Sequence, residues 1–316
     1  MPYDTIITRD TPNTPDPFIP ETYVSQILQD APKASAALTL MRRQPMSSKK
    51  TRQPVLSALP TAYWVDGDVG MKQTTKPVWD NLELIAEELA AIVVIPDAYF
   101  DDANIPLWEE IRPLLAEAIG KKIDEAVLFG VDKPSTWPTD IYHGTLAAGN
   151  VRVAGTGDDL AQDVAFLGQT LAEDGSRLGG FASQPGFNWR LVGIRTSQGV
   201  PIYQPALTEG EFDRLYGRRF FEVENGSWDA SEALLIGGEW NKAIIGVRQD
   251  ITYRIFDQGV ISDDDGNVVV NLMQQDSKAM RVVMRVGFTV EEPLDRIAGT
   301  GTRYPFATLQ SATAGS

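Results

Sequence analysis

Few residues in this chain are equipped for reactive chemistry. It has one histidine, His143, and no cysteine. That excludes disulfides, thiolate metal sites, a cysteine nucleophile and paired-histidine zinc, and leaves any Ser-His-Asp triad dependent on one imidazole. His143 stands in "DIYHGT", which reads as a loop with no nucleophile beside it, so an ordinary surface histidine is the reading. The stretch "SDDDGNVVV" gathers Asp263, Asp264, Asp265 and Asn267, oxygen ligands of the kind a calcium loop uses. Its acids are consecutive rather than alternating and the closing glutamate is missing, so Asp265-Gly266-Asn267 reads as a hairpin turn. The glycines of "AGTGDD" and "GTGTR" match no phosphate-loop or dinucleotide template and read as flexible joints. Two carboxylate pairs, Asp101 with Asp102 and Glu109 with Glu110, flank the start of a long helix and complement its dipole. The tryptophans at 64, 79, 108, 137, 189, 228 and 240 read as core or interface anchors. No catalytic, cofactor-binding or metal residue is assigned; the chain reads as a building block rather than an enzyme.

The strongest element is a helix over 106–129. It opens on Pro106, and Leu107, Ile111, Leu115, Ile119, Ile123 and Val127 recur at i and i+4, with Gly130 as a stop and Pro113 as a defect in the pattern. At 1.5 Å per residue it would span about 36 Å. Prolines at 2, 12, 15, 17 and 20 predict an extended leader. Short helices are expected at 21–29 and 33–43, then an extended run through "PMSSKKTRQPVLSALP". Residues 62–79 read as a hairpin with strand formers at both ends and a polar middle. An arm of ten residues would reach about 33 Å, past the roughly 20 Å radius of gyration of a compact chain of this length. Ile92 to Ile95 read as a strand buried on both faces, 131–158 as connecting loops, and 159–173 as a helix. "RLVGI", "FFEV", "ALLIGG", "AIIGV", "ITYRIF", "NVVVNL" and "MRVVMRVGFTV" read as strands. After Ala307 the composition shifts to a low-complexity tail. The class is α+β.

At 316 residues the chain can bury a large core, as one elaborated domain or two. It shows neither a signal peptide nor an apolar run near the roughly 18 residues of a membrane span, so no membrane partner is expected. Its formal charge of −15 argues against general nucleic-acid binding. Charge is unevenly spread. Lys33, Arg42, Arg43, Lys49, Lys50 and Arg52 form a basic stretch without an acid, and acids predominate from 61 to 120. That stretch could contact nucleic acid, lie on an acidic neighbour, or simply be solvated. It lacks the interleaved aromatics that base stacking needs.

The ordered series "LPTAYWVDGDVGMKQTTKPVWDNLELIAEELAAIVVIPD", "IPLWEEIRPLLAEAIGKKIDEAVLFG", "GVPIYQP", "ALLIGGEWNKAIIGVRQDITYRIF" and "MRVVMRVGFTVEEPLDRI" resembles the major capsid proteins of tailed bacteriophages, the Hong Kong 97-type family, over residues 20–297. The resemblance implies an N-terminal arm (1–58), an extended loop (59–80), and a peripheral domain (81–154) with the spine helix at 106–129. An axial domain (155–250), return strands (251–297) and a C-terminal tail (298–316) would follow. It implies pentamers and hexamers closing an icosahedral head around double-stranded DNA, assembled in the host cytoplasm. A portal would be a partner, together with a separate scaffolding protein, favoured over a scaffolding segment removed from the chain; no cofactor is implied. The expected contacts between copies are Trp64, Asp66, Asp68, Lys72, Lys76 and Trp79 of the loop, and Arg42, Arg43, Lys49, Lys50 and Arg52 of the basic arm. Trp64 and Trp79 would anchor the hairpin on its own subunit while its tip crosses to the next. Some members close covalent Lys-Asn links; Lys72 and Lys76 lie in the corresponding loop, but with no partner identified no cross-link is assigned. A cargo-enclosing, encapsulin-like shell is the alternative on the same fold, and a small enzyme with a carboxylate site is the third.

Overall fold

The computed structural model describes residues 35–58, 62, 64–65, 72, 74–76, 78–98, 107–157, 159–193, 214–263, 265–291 and 303–312. The helix expected at 21–29, the leader and the acids Asp101 and Asp102 lie outside them.

Two sheets share the chain. The first has five strands in the order β1-β9-β12-β3-β2. They are β1 (Arg42–Pro45), β2 (Lys50–Ala58), β3 (Val78–Pro96), β9 (Ala243–Phe256) and β12 (Ser277–Val290). The long helix, α2 (Leu107–Leu128), crosses one face and continues through Pro113. Its Leu115, Ile119, Ile123 and Val127 share a core with Met280, Val282, Met284, Val286 and Phe288 of β12. Alternate residues of a strand point to opposite faces, so Arg281 and Arg285 of the same strand face away from that core. Among the described residues, little covers the distal part of the other face of the sheet. That corrects the reading of Ile92 to Ile95 as buried on both sides: Ile92 is 49% exposed, while Val93 packs toward the helix.

The second sheet has six strands in the order β4-β13-β8-β5-β7-β6. These are β4 (Val151–Val153), β5 (Gly180–Ser183), β6 (Arg214–Leu215), β7 (Arg218–Glu222), β8 (Ala233–Gly238) and β13 (Phe306–Gln310). Helices α4 (Leu160–Glu173) and α5 (Phe187–Val192) pack on it through Val164, Leu167, Leu171, Phe187 and Leu191. Strands β10 (Val260–Ser262) and β11 (Val268–Asn271) pair as the expected hairpin, with Asn267 donating to Asp263.

Several expectations change. The supposed tail supplies β13, paired between β4 and β8, with Phe306, Ala307, Thr308 and Leu309 fully buried. Gly238 opposite leaves room for Phe306, where a Cβ would collide with the ring. The boundary expected at 250 falls inside β9, which belongs to the five-stranded sheet throughout. The loops of 131–158 contain β4 and α3 (Ile141–Ala148), capped by Asp140 and closed by Gly149 at φ +77°. His143 therefore sits in a helical first turn, its Nδ1 2.7 Å from Asp140. "RLVGI" begins within α5 instead of forming a strand. The helix expected at 33–43 shortens to α1 (Ala36–Leu40), because Arg42 and Arg43 pair with Ile244 and Ile245 as β1. The "AGTGDD" joint is tied down: buried Asp163 accepts from Gly155 N, Gly157 N and Arg152 Nε at 2.8–3.0 Å.

A chain whose last strand lies inside a sheet should fail when that strand is hollowed. Leu309→Ala should lower unfolding stability by about 3 kcal/mol, read as a drop in urea midpoint; a loss under 1 kcal/mol, the scale of a mere tail, would contradict this.

Candidate subunit interface

The projecting element is a two-stranded ribbon. β2 pairs antiparallel with β3 from Lys50 opposite Ile85 to Ala58 opposite Val78, so the hairpin stem is built largely from the segment expected to be a separate arm. β3 serves two purposes. Its distal half, from Ala86 on, is locked against β12, and its proximal half carries the ribbon. Trp137 fastens the junction, donating through Nε1 to Ile85 O at 3.2 Å and packing its ring near Phe288.

Trp64 is fully exposed and Trp79 is 64% exposed, which corrects the expectation that they anchor the hairpin on its own subunit. The ladder between β2 and β3 holds the ribbon at home, and both indoles are left bare. Lys72 and Lys76 are exposed; Asp66 and Asp68 lie outside the described residues.

The basic arm is largely spoken for within the protomer. Lys50 and Arg52 both pair with Glu83, Arg52 at 2.8 Å, and Lys49 lies 3.5 Å from Glu87. Arg43 donates to Leu38 O at 2.9 Å, and Arg42 is exposed. Part of this stretch finds its acids within the protomer: the antiparallel register sets Lys50 and Arg52 against the acidic end of β3. Lys50 and Arg52 hold the Glu83 carboxyl below its ordinary range.

Further back, Asp124 of α2 fixes the arm at Ser35 to Ala37. Its carboxylate is fully buried and accepts four hydrogen bonds at 2.6–2.9 Å, from Ser35 Oγ, Ala36 N, Ala37 N and Asn225 Nδ2. Burial pushes its pKa up, against those hydrogen bonds pulling it down. One side chain thus joins the arm, the long helix and the loop at Asn225. Nothing in the sequence reading singled it out. The signal was the pair Gly120 and Asp124, one turn apart beside the apolar stripe, where Gly120 admits Ser35.

An α+β protomer with a long helix under one sheet, a second sheet beside it and a bare ribbon projecting outward defines a class of shell-building subunit. Comparison with known proteins agrees. A model of the phage capsid family matches residues 16–295. The major capsid protein of Staphylococcus phage 80alpha is 26% identical over 280 residues, covering 85% of this chain and 81% of that one. A solved structure from Microbacterium phage Oxtober96 superposes with a TM-score of 0.83 at 33% identity, covering 93% of this chain and 96% of that one. One from Mycobacterium phage Adephagia gives 0.82 at 29%, covering 93% and 95%. The fold extends to the capsid of a native GTA particle, TM-score 0.63 at 16% identity, covering 94% of this chain and 95% of that one. The chain belongs to the phage capsid family: it is a structural major capsid protein of the Hong Kong 97-type fold, part of the virion shell and not an enzyme.

Asp124→Ala would strand four buried donors and should cost about 3 kcal/mol or more, with faster amide exchange at Ala36 and Ala37; wild-type protection there would refute the tether. Glu83 acts on the ribbon with the opposite sign to a raised group: its pKa is depressed, so its contribution is present above pH 4.5 and lost as pH falls through its own lower value. Protection factors of β2 amides, corrected for the intrinsic exchange rate, should therefore fall on acidification and also in high salt. Glu83→Gln should reduce both responses, leaving the part carried by Lys49 and Glu87.

Proposed function

We propose that copies of this chain assemble into pentamers and hexamers that close an icosahedral head around double-stranded DNA. The observation that carries this is the ribbon: a pre-paired β2–β3 stem leading to Trp64 and Trp79, both bare in a lone protomer. Burying an indole against a neighbour removes about 150–250 Å² of surface from water, and aromatic anchors dominate the energy of protein contacts. A stem rigidified by its own ladder loses little entropy on docking. The ribbon therefore lies across an adjacent copy, with Trp64, Trp79, Lys72 and Lys76 in contact.

Of the basic arm, Arg42 is the residue with most to gain from a neighbour, and Lys49, Lys50 and Arg52 reach one through the ribbon they stiffen. Ring contacts between identical subunits are heterologous, so one surface must complement another on the same molecule. The five-stranded sheet with α2 makes up the peripheral domain, and the six-stranded sheet the axial domain. A separate scaffolding protein directs closure in the host cytoplasm, and DNA enters through a portal. A net charge of −15 per copy lets packaged DNA move without adhering.

Electron microscopy of particles from cells producing the full chain should show closed shells, DNA-dense where packaging functions are present. Trp64→Ala with Trp79→Ala should abolish shells while changing subunit stability by about 0.5 kcal/mol or less, as expected of exposed positions. Normal shells from that variant would overturn the ribbon's role.

A further inference from the structure

Among the described residues, the face of the five-stranded sheet opposite the long helix carries a groove rich in arginine. Glu88, Gln249, Thr252, Arg254, Arg281 and Arg285 line a groove of about 340 Å³. Arg281 on β12 stands in register opposite Arg254 on β9, and like charges directly opposed across strands repel. Among the described residues the groove's one carboxylate, Glu88, is already held by Arg285 through Nε at 2.8 Å and Nη2 at 2.6 Å. Among the described residues Arg254 has no ion-pair partner. The Arg281 guanidinium lies 4.9 Å over the Phe256 ring, and its Nε is buried without a hydrogen bond. Two arginines thus stand side by side, one with an unused buried donor, and among the described residues no carboxylate is free to offset them.

A matching surface exists on the same molecule. The β10–β11 hairpin links the end of β9 to the start of β12, the two strands that carry the groove. From 257 to 276 the sequence holds Asp257, Asp263, Asp264, Asp265 and Asp276 and no lysine or arginine. Among the described residues, Asp257, Asp265 and Asp276 have no ion-pair partner. Val260, Val268, Val269 and Met273 on the same hairpin are 55–71% exposed. Acid and apolar side chains together match a groove where arginines sit beside Ile92 and Val283. A phosphate backbone would have no use for the apolar part and would be repelled at range by the chain's net charge.

We propose that the Arg254–Arg281 groove of one copy receives the acidic β10–β11 hairpin of a neighbouring copy, with Asp257 and Asp265 supplying the missing anions. This rests on the assembly reading above and names a second contact within it. The contact is heterologous, groove to hairpin, and so propagates around a ring. It also gives the shell a salt-sensitive joint, distinct from the apolar hold of the ribbon tryptophans.

The test is charge exchange in the full chain, read as shells recovered by sedimentation. R254E with R281E should reduce shell yield roughly tenfold or more, since like charges facing across a contact cost several kcal/mol. D257K with D265K should do the same. All four substitutions together should restore shells, because reversed grooves then meet reversed hairpins. R254Q with R281Q guards against misfolding: it should raise the melting temperature of unassembled subunits by relieving repulsion, yet still assemble poorly. Shells at wild-type yield from the reversed groove, with or without their DNA, would overturn the proposal, as would a fourfold variant no better than either pair. Failure of the wild-type chain to form shells at all would instead strike the assembly reading and is seen separately.

Discussion

The buried carboxylate of Asp124 is the constraint on which the rest of the protomer's outward reach depends. A carboxylate is costly to bury unless donors surround it, and here four do, three from the first turn of the arm and one from Asn225. The bonds set α1 against the long helix, and a five-residue helix has no stability of its own. Once α1 is placed, β1 meets the edge of β9, and the chain is delivered at the register from which β2 and the ribbon follow. An arm that looks like a loose leader is therefore stitched to the core from Ser35 onward.

From that anchor the fold divides labour along β3. Nineteen residues are long for a strand, and no single partner covers them. β12 takes the distal half and β2 the proximal half, so the rigidity of the packed sheet is passed into the ribbon without a hinge of loop. The helix α2 covers one sheet face only. A subunit with a wholly sealed sheet would have less surface to offer its neighbours.

Charge follows the same geometry. The opposition of a basic arm and an acidic body, visible in composition, is met first by cross-strand pairs within the protomer: Lys49, Lys50 and Arg52 with Glu83 and Glu87, and Arg285 with Glu88. Exposed pairs of this kind are weak and screened by solvent, so their value lies in register more than in strength. Among the described residues, Arg254 and Arg281 on one surface and Asp257 and Asp265 on another are left without such a pair, and so have a reason to look outward.

Local pattern was enough for the elements whose stabilising contacts repeat with the period of the backbone. The stripe from Leu107 to Val127 marked the long helix to within a residue at each end, the spacing from Leu160 to Leu171 marked α4, and the strand-forming runs marked β8, β11 and β12, while the two runs "AIIGV" and "ITYRIF" proved to be one strand, β9. The turn at Asp265-Gly266-Asn267 was legible from turn chemistry alone, and the ordered series of segments carried the family. Contacts between distant residues were not legible. Phe306 to Gln310 looked like the edge of a tail because five residues hold too little pattern; only β4 and β8 on either side make them a buried strand. Asp124 and Asp163 looked like solvated acids because their donors arrive from other segments. The basic arm looked free because Glu83 and Glu87 lie more than thirty positions away. Periodicity is written into neighbouring residues, so the sequence by itself determined helix, strand and class; which strand pairs, which acid is buried and which tryptophan stays bare are set by chain closure over long separations, and those only the tertiary structure decided.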